Sequence, residues 1–341
     1  MSTVGQPERA TQNRVIELFR DELGYRYVGD WTDREGNSHI EDKLLADYLT
    51  KSGYTPAQIN RALYLLKTEA NRNSRNLYGN NQAVYKLLRY GVPVKTEAGK
   101  VTETVHLINW SEPGKNDFAI AEEVTLKGHH ERRPDLVLYV NGIAVGVIEL
   151  KNSRVSIGDG IRQLLSNQQQ QFNEWFFSTV QIVFAGNDSE GLQYGTIGTQ
   201  EKYFLRWKEH AQENTHFKLD KYLLKLCAKE RLIELMHDFV LFDGGVKKLP
   251  RVHQYFGLKA AQDFVCQRKG GIIWHTQGSG KSIVMVLLAK WILENNPHAR
   301  VAIVTDRDEL DKQIEGVFTD VGEPITRTSS GRDLMSRLGQ A

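Results

Sequence analysis

Residues 134–151 of the chain read PDLVLYVNGIAVGVIELK, and this segment decides the fold of the region around it. Two runs rich in Val, Ile and Leu, residues 136–140 and 143–150, flank the dipeptide Asn141-Gly142. Asn-Gly favours a two-residue type I′ turn, because both residues tolerate the positive φ that this turn requires. The segment therefore predicts a buried β-hairpin.

The outer ends of this hairpin carry charged residues. Asp135 immediately precedes the first predicted strand, and Glu149 and Lys151 end the second. Because side chains alternate along a strand, Glu149 and Lys151 are expected on one face, and the hairpin returns them toward Asp135. Carboxylates brought together in this way repel each other unless a cation lies between them, and Mg²⁺ prefers oxygen ligands. A bound Mg²⁺ would acidify a water molecule and stabilise charge on a phosphodiester, with Lys151 orienting the nucleophile or offsetting charge.

The charged pattern around the hairpin has a second interpretation. Glu149 and Lys151 would then form a solvated pair, and Asp135 would cap a turn. Residues 129–133, HHERR, come just before Pro134 and would offer cations to DNA phosphates, although a solvated turn rich in charge explains them equally well.

A second motif, HTQGSGKS at residues 275–282, lies between a predicted strand at 271–274 and a predicted helix at 281–294. Glycines let the backbone amides of such a loop approach phosphate oxygens, Lys281 would reach the terminal phosphates, and Ser282 would hold Mg²⁺. A flexible Gly-Ser loop with an incidental lysine is the alternative. A further strand is predicted at 300–305, and this β-loop-α-β order is typical of a parallel sheet. The loop residues expected at the phosphates are Gly278, Ser279, Gly280, Lys281 and Ser282.

The rest of the chain divides by its periodicity into helices, a strand and a linker. The linker, residues 243–250, contains Gly244-Gly245 and shifts the composition. The predicted domains are therefore residues 1–200, a helical segment at 201–248, and residues 249–341. Helices are predicted at 11–23, 42–48, 57–68, 159–176, 219–242 and 259–267, a strand at 180–185, and a polar stretch at 187–200.

Composition excludes several classes of protein. The 341 residues contain 40% hydrophobic and 25% charged residues with a net charge of +2, which is ordinary for a globular protein and argues against disorder or a fibrous repeat. No apolar run approaches the roughly 20 residues of a membrane span, and no secretory signal is visible at the N-terminus. Two cysteines, Cys227 and Cys266, without metal-type spacing predict a reducing, cytoplasmic location.

The residues from Asn116 to Asn152 resemble the PD-(D/E)xK nuclease domain of type I restriction enzyme R subunits. The loop at 275–282, with Gln254 upstream and residues 305–310 downstream, resembles the superfamily 2 helicase motor of the same subunits. This resemblance implies an α/β fold: a restriction-endonuclease-like mixed sheet flanked by helices, followed by a partial RecA-like P-loop parallel α/β lobe.

The resemblance also implies roles for the charged residues of the hairpin. Asp135 and Glu149 would ligate Mg²⁺, and Lys151 would be the catalytic lysine. Members of this family carry an acidic residue on the first helix, for which Glu8 is the first choice and Glu17 the second.

A Gln-x-x-x-Tyr element usually follows the lysine in this family. Gln163 occupies the glutamine position, but Asn167 replaces the tyrosine. A second register, Gln168 with Phe172, keeps an aromatic ring and loses the hydroxyl. In either register the helix would face DNA.

In the motor, the resemblance assigns adenine recognition to Gln254 and places the loop near Asp306 and Arg307 toward DNA. No Asp-Glu pair follows a strand after Leu310, and the second RecA-like lobe is missing. We therefore expect an N-terminal piece of a longer polypeptide that binds ATP only weakly and neither hydrolyses it efficiently nor translocates DNA by itself.

The implied function is the motor and endonuclease subunit of a type I restriction-modification system. Such a subunit cleaves double-stranded DNA by Mg²⁺-dependent phosphodiester hydrolysis, coupled in the full-length protein to ATP-driven translocation. Its partners are the modification (methyltransferase) and specificity subunits, and S-adenosylmethionine enters only through them. Two alternatives stay open: an ATP-binding assembly module without nuclease activity, and a standalone DNA repair nuclease.

Overall fold

The structure, a computed structural model, describes residues 8–96, 99, 101–128, 130–209, 216–305, 308–321 and 325–339. The chain forms two compact units. The first comprises residues 1–240 and 247–251, and the second comprises residues 241–246 and 252–341. The predicted domain boundaries at 200 and 248 stay predictions.

The secondary structure contains both helices and strands. The strands are β1 (Arg26–Asp30), β2 (Val92–Val94), β3 (Glu103–Val105), β4 (Phe118–Glu122), β5 (Leu136–Val140), β6 (Ile143–Leu150), β7 (Ile182–Asn187), β8 (Gly191–Gly195), β9 (Leu205–Arg206), β10 (Leu241–Asp243) and β11 (Val246–Lys248). The α-helices are α1 (Glu8–Glu17), α2 (Asp42–Lys51), α3 (Pro56–Ala70), α4 (Leu77–Tyr90), α5 (Ile157–Asn167), α6 (Lys218–Leu226), α7 (Lys229–Asp238), α8 (Val252–Cys266), α9 (Lys281–Asn295), α10 (Asp308–Val321) and α11 (Gly331–Gly339).

A seven-stranded mixed sheet organises the first unit, in the order β1-β4-β5-β6-β7-β8-β9. β1 pairs parallel with β4 and β6 parallel with β7, while the remaining neighbours are antiparallel. Every residue of β5 and β6 is buried, because helices and loops cover this part of the sheet. The expectation of a mixed sheet flanked by helices is confirmed for this unit.

The hairpin of β5 and β6 is confirmed. Asn141 and Gly142 have φ of 52° and 80°, both positive as a type I′ turn requires. The Asn141 side chain also accepts a hydrogen bond from the Asp117 amide at 2.7 Å, which ties the turn to the start of β4.

A β-bulge at Val145 changes the register of this hairpin. Tyr139 pairs with Ala144, but Leu138 pairs with Gly146, so Val145 has no partner in β5. Its carbonyl instead accepts a hydrogen bond from the Gln181 amide at 2.8 Å. A bulge adds one residue to one strand and thereby shifts all later pairs by one position.

The first predicted helices are confirmed with small changes of boundary. The helix predicted at 11–23 is α1 continued by a π-helical turn, Leu18–Glu22, and Gly24 follows with φ of 67°. The helices predicted at 42–48 and 57–68 are α2 and α3, each longer than predicted.

Two predicted helices are interrupted. The helix predicted at 159–176 is α5 alone, because the Asn167 carbonyl accepts a hydrogen bond from the Asn173 amide and the chain turns there. A 3₁₀ turn, Glu174–Ser178, then buries Phe176 and Phe177 in the core. The helix predicted at 219–242 is divided at Ala228, whose backbone is extended, into α6 and α7, followed by β10.

The strand predicted at 180–185 is confirmed as β7, shifted by two residues. The stretch at 187–200, predicted only as polar, contains β8. Within the predicted linker at 243–250, Lys247 is buried in the first unit and donates hydrogen bonds to Asn81 Oδ1 at 2.8 Å and Gln181 Oε1 at 2.6 Å.

In the second unit, α8 packs against α9, and α10 packs against α9 and β10. The helix predicted at 259–267 begins seven residues earlier, at Val252. The strands predicted at 271–274 and 300–305 are wrong: neither segment is a strand, and Ile272 and Val304 are 86% and 90% exposed. A strand is stabilised by hydrogen bonds to a neighbouring strand, and among the described residues neither segment has one. No helix of the described residues is long and apolar enough to cross a membrane.

Candidate functional site

Asp135 and Glu149 meet at the ends of β5 and β6. The register of this ladder pairs Leu136 with Ile148, so the next pair outward is Asp135 with Glu149. Asp135 Oδ2 accepts a hydrogen bond from the Leu150 amide at 2.6 Å, which fixes its carboxylate beside β6. Residues directly opposite in an antiparallel pair point to the same face, so both carboxylates share one site.

Glu149 is fully buried, with 0% of its surface exposed. Its Oε1 accepts a hydrogen bond from Asn167 Nδ2 at 3.3 Å, whereas its Oε2 has no hydrogen-bond partner among the described residues. The interpretation of Glu149 as part of a solvated pair is therefore wrong. Burying an ionised carboxylate oxygen without a donor costs free energy, which either a proton or a bound cation offsets.

Lys151 completes this group. Its backbone amide donates to the Gly186 carbonyl at 2.9 Å, which anchors it at the edge of β7. Its Nζ lies 3.2 Å from Oε1 of Glu8, the first residue of α1. Of the two acidic residues suggested on the first helix, Glu8 is the one brought to Lys151, whereas Glu17 is exposed at the other end of α1.

Burial and the charges of neighbouring groups shift the pKa values of the three residues. Burial, reinforced by the charge of Asp135, raises the pKa of Glu149 well above its usual range. Burial also raises the pKa of Asp135 to about 6, against the opposing effects of the Leu150 amide and Lys151. Burial lowers the pKa of Lys151, but the carboxylates of Asp135, Glu149 and Glu8 outweigh it and raise the value overall. Lys151 is therefore a cation at neutral pH.

A cavity of about 370 Å³ opens beside these residues. It brings Gln163 of α5, half-buried, to the same space as Asp135 and Lys151. Its lining residues are Glu8, Arg9, Gln12, Glu123, Arg133, Asp135, Lys151 and Gln163.

Three of the cavity residues, Arg9, Gln12 and Glu123, were not found by sequence reasoning. Gln12 Nε2 donates to Glu122 Oε2 at 3.1 Å and Glu123 Oε1 at 3.0 Å, and these bonds hold α1 against the end of β4. The sequence spacing could have revealed Gln12, because it lies one helical turn after Glu8 and therefore on the same face of α1.

Asn167, at the usual tyrosine position, faces the site and contacts Glu149. In the second register, Gln168 Oε1 accepts a hydrogen bond from the Gly198 amide at 2.8 Å, and the Arg132 guanidinium lies 3.9 Å from the centre of the Phe172 ring. The register of Gln163 and Asn167 is thus the one that meets the carboxylates. Arg133 lines the cavity, while His129 of the preceding basic run lies outside the described residues.

The donor set fits Mg²⁺. Glu149 Oε2 is a buried oxygen with no hydrogen-bond partner among the described residues, and Asp135 lies directly opposite. Over the described ranges, no three His, Cys, Asp or Glu side chains are grouped closely enough to hold a metal ion by themselves. Mg²⁺ is characteristically bound by one or two carboxylates, with water and substrate phosphate as the other ligands, so two are sufficient.

In the second unit, the glycine loop has a backbone that requires glycine. Gly278 and Gly280 have φ of 74° and 82°, and Gly280 precedes the first turn of α9. Gln254, buried on α8, donates from Nε2 to the Ser279 carbonyl at 2.9 Å. A Cβ atom at Gly280 would lie 2.4 Å from Gln254 Nε2, so the loop and Gln254 interlock.

The loop lysine folds back onto its own loop. Lys281 Nζ donates to the carbonyls of His275 at 3.1 Å and Thr276 at 3.3 Å, and Ser282 follows it, half-buried, in the first turn of α9. Asp306 and Arg307, expected toward DNA, lie outside the described residues.

Comparison with known proteins gives two family matches. Residues 5–202 match the type I restriction enzyme R protein N terminus, and residues 253–341 match the SWI2/SNF2 ATPase. The type I restriction enzyme HindI endonuclease subunit of Haemophilus influenzae is 29% identical over 367 residues, covering 98% of this chain and 33% of the relative. The putative type I restriction enzyme MjaIXP endonuclease subunit of Methanocaldococcus jannaschii is 28% identical over 377 residues, covering 96% and 35%. The chain thus spans about a third of the length of these relatives.

Proposed function

Because the chain belongs to the type I restriction enzyme R protein N-terminus family, we propose that it supplies the nuclease site of a type I restriction-modification system. The reaction is Mg²⁺-dependent hydrolysis of phosphodiester bonds in double-stranded DNA, on a PD-(D/E)xK fold in the first unit. One observation carries the proposal: Glu149 is fully buried with a partnerless Oε2, opposite Asp135 and two residues before Lys151.

Asp135 and Glu149 would hold the metal, which supplies an acidified water and neutralises charge on the phosphate. Asn167 orients Glu149 through its Oε1, so that Oε2 is left for the cation. The raised pKa of Lys151 keeps this residue protonated at neutral pH, so it acts as a hydrogen-bond donor to the phosphate and not as a general base. Glu8 positions the Lys151 ammonium from α1.

The second unit is proposed to bind ATP as part of a RecA-like lobe. The left-handed glycines and the match to the SWI2/SNF2 ATPase support this assignment. The Lys281 ammonium would leave the carbonyls of its own loop and bind the terminal phosphates. Ser282 would hold the Mg²⁺ of the nucleotide, and Gln254 would contact adenine. ATP-driven translocation belongs to the full-length protein, whose partners are the modification and specificity subunits; S-adenosylmethionine is bound through those partners.

The test is restriction of DNA by the reconstituted complex containing Glu149→Gln. The substitution keeps the shape of the side chain and removes the ligand charge, so we expect cleavage to fall by about a thousandfold or more while ATP hydrolysis continues. Glu17→Gln, an exposed site on the same helix as Glu8, is the matched control and retains cleavage.

Two results would redirect the assignment. Full cleavage with Glu149→Gln rejects the nuclease site and leaves an ATP-binding assembly module. Cleavage by the subunit without partners and without ATP identifies a standalone repair nuclease instead.

A further inference from the structure

Two arginines flank the cavity beside Asp135 and Lys151 in the first unit. Arg9 is on α1 and Arg133 immediately precedes Pro134, so they come from distant parts of the chain, and both side chains are 51% exposed. Both pair with Glu123: Arg133 Nε lies 2.7 Å from Glu123 Oε2, and Arg9 Nη1 lies 3.6 Å from Glu123 Oε1. The three residues line the same cavity as Asp135 and Lys151.

Glu123 is held in an unusual backbone conformation. Its φ is 50°, a left-handed value that costs free energy for a residue other than glycine. Its amide donates to the Asp135 carbonyl at 2.9 Å, and its Oε1 accepts from Gln12 at 3.0 Å. These contacts fix the carboxylate between the two guanidinium groups, where it holds both at the cavity.

The guanidinium groups retain unused donors. Arg133 uses Nε for Glu123, and Arg9 uses Nη1 for Glu122, at 2.6 Å, and for Glu123. A guanidinium has five N–H groups, and among the described residues the others on these two side chains make no further ion pair. A planar fork of unused donors matches the oxygens of a phosphate group.

The cavity needs such donors to admit DNA. The carboxyl groups of Glu8, Glu123 and Asp135 line it, and an ionised carboxylate repels a phosphate. Lys151 is already paired with Glu8. The exposed arginines are therefore the cations available to phosphates beyond the one at the metal.

Resting on the proposed nuclease function, we propose that Arg9, Arg133 and Glu123 form an arginine clamp for duplex DNA. The two guanidinium groups bind backbone phosphates next to the scissile phosphate, and Glu123 holds them in position. The clamp contacts phosphates only, so it contributes affinity and register without sequence preference.

The test is binding of a DNA duplex by the full chain as a function of salt, with Ca²⁺ in place of Mg²⁺ so that binding is measured without cleavage. Arg9→Gln and Arg133→Gln are each expected to weaken binding by about five- to tenfold and to reduce the slope of log affinity against log salt by about 1. In the variant that combines Arg9→Gln and Arg133→Gln, this slope is expected to decrease by about 2. Arg20→Gln, whose side chain is 52% exposed and pairs with Asp21, is the control with an unchanged slope.

The Arg9→Lys, Arg133→Lys double variant separates the clamp from a general effect of charge or folding. It keeps both charges and the pairs with Glu123 but loses the fork, so we expect an unchanged slope with several-fold weaker binding. Unchanged affinity and slope in the glutamine double variant, or an equal loss with Arg20→Gln, overturns the clamp. Weakened binding in the glutamine variants, together with full cleavage by the reconstituted complex containing Glu149→Gln, keeps the clamp and rejects the nuclease.

Discussion

Asp135 lies directly opposite Glu149 because Val145 bulges out of β6. If the strands paired outward from the turn without the bulge, Asp135 would lie opposite Ile148, and Glu149 would point to the other side of the sheet. The bulge therefore brings the two carboxylates to one face, where burial raises the pKa of both.

The first prediction concerns the pH dependence of stability without metal. The pKa of Asp135 is about 6 in the folded protein against 3.8 for the ordinary group, so the folded state keeps a proton that the unfolded chain releases. Its contribution to stability is complete below pH 4 and declines as pH rises to 6, by on the order of 2–3 kcal/mol. Because Mg²⁺ binds the ionised carboxylates, it should raise the melting temperature more at pH 7 than at pH 5.

Thermal unfolding with and without Mg²⁺, at both pH values, measures this effect. Glu149→Gln should abolish most of the Mg²⁺ shift and stabilise the metal-free protein. An identical Mg²⁺ shift in the wild-type protein and in Glu149→Gln would mean that the metal binds elsewhere.

Asn167 should act on the metal through Glu149. Replacing it by Leu keeps the size of the side chain and removes the hydrogen bond to Glu149 Oε1. We expect Mg²⁺ affinity, measured by titration calorimetry, to fall about 10- to 100-fold, as for other residues that orient metal ligands. Ser166→Ala, next to it on α5, is the control; unchanged Mg²⁺ affinity in Asn167→Leu would show that Glu149 needs no such support.

His39 should make the first unit sensitive to acid. It is buried against Trp175 and Phe176, and neither ring nitrogen has a hydrogen-bond partner among the described residues. Burial lowers the pKa of His39 from 6.5 to about 3, so between these values the unfolded chain binds a proton that the folded protein excludes.

Stability is therefore lost as pH falls below 6.5, by about 2 kcal/mol at pH 5 from this residue. His39→Phe should remove that loss and raise stability at neutral pH, as measured by urea unfolding at pH 5 and pH 7. The prediction fails if the variant shows the same difference between the two pH values as the wild-type protein.

Gly280 should be indispensable for nucleotide binding in the second unit. Gly280→Ala adds a Cβ at 2.4 Å from Gln254 Nε2 and places alanine at a φ of 82°, which disfavours it. Gly278→Ala places alanine at a φ of 74°, but its Cβ would contact no other atom of the described residues. We expect Gly280→Ala to weaken binding of a fluorescent ATP analogue by more than tenfold. Gly278→Ala should weaken it by about fivefold, which corresponds to about 1 kcal/mol of binding free energy. Equal effects of the two substitutions would contradict the interlocked loop.

Helices predicted from apolar spacing were confirmed where one face of a single helix meets the core, as in α2 and α3. Apolar spacing failed at residues 219–242, because two short helices that share one core carry the same pattern as one long helix. It also failed at residues 271–274, since apolar residues form a strand only beside another strand.

The sequence by itself determined the hairpin and its turn, the acidic residues at the strand ends and the glycine loop, because these depend on local backbone preferences and on spacing along the chain. Only the tertiary structure decided the bulge at Val145, the approach of Glu8 to Lys151 and the pairing of Arg9 and Arg133 with Glu123. The contacts of Glu8 with Lys151, of Arg9 with Glu123 and of Val145 with Gln181 join residues distant in sequence, and they depend on how β6 pairs with β7 and how α1 packs on the sheet.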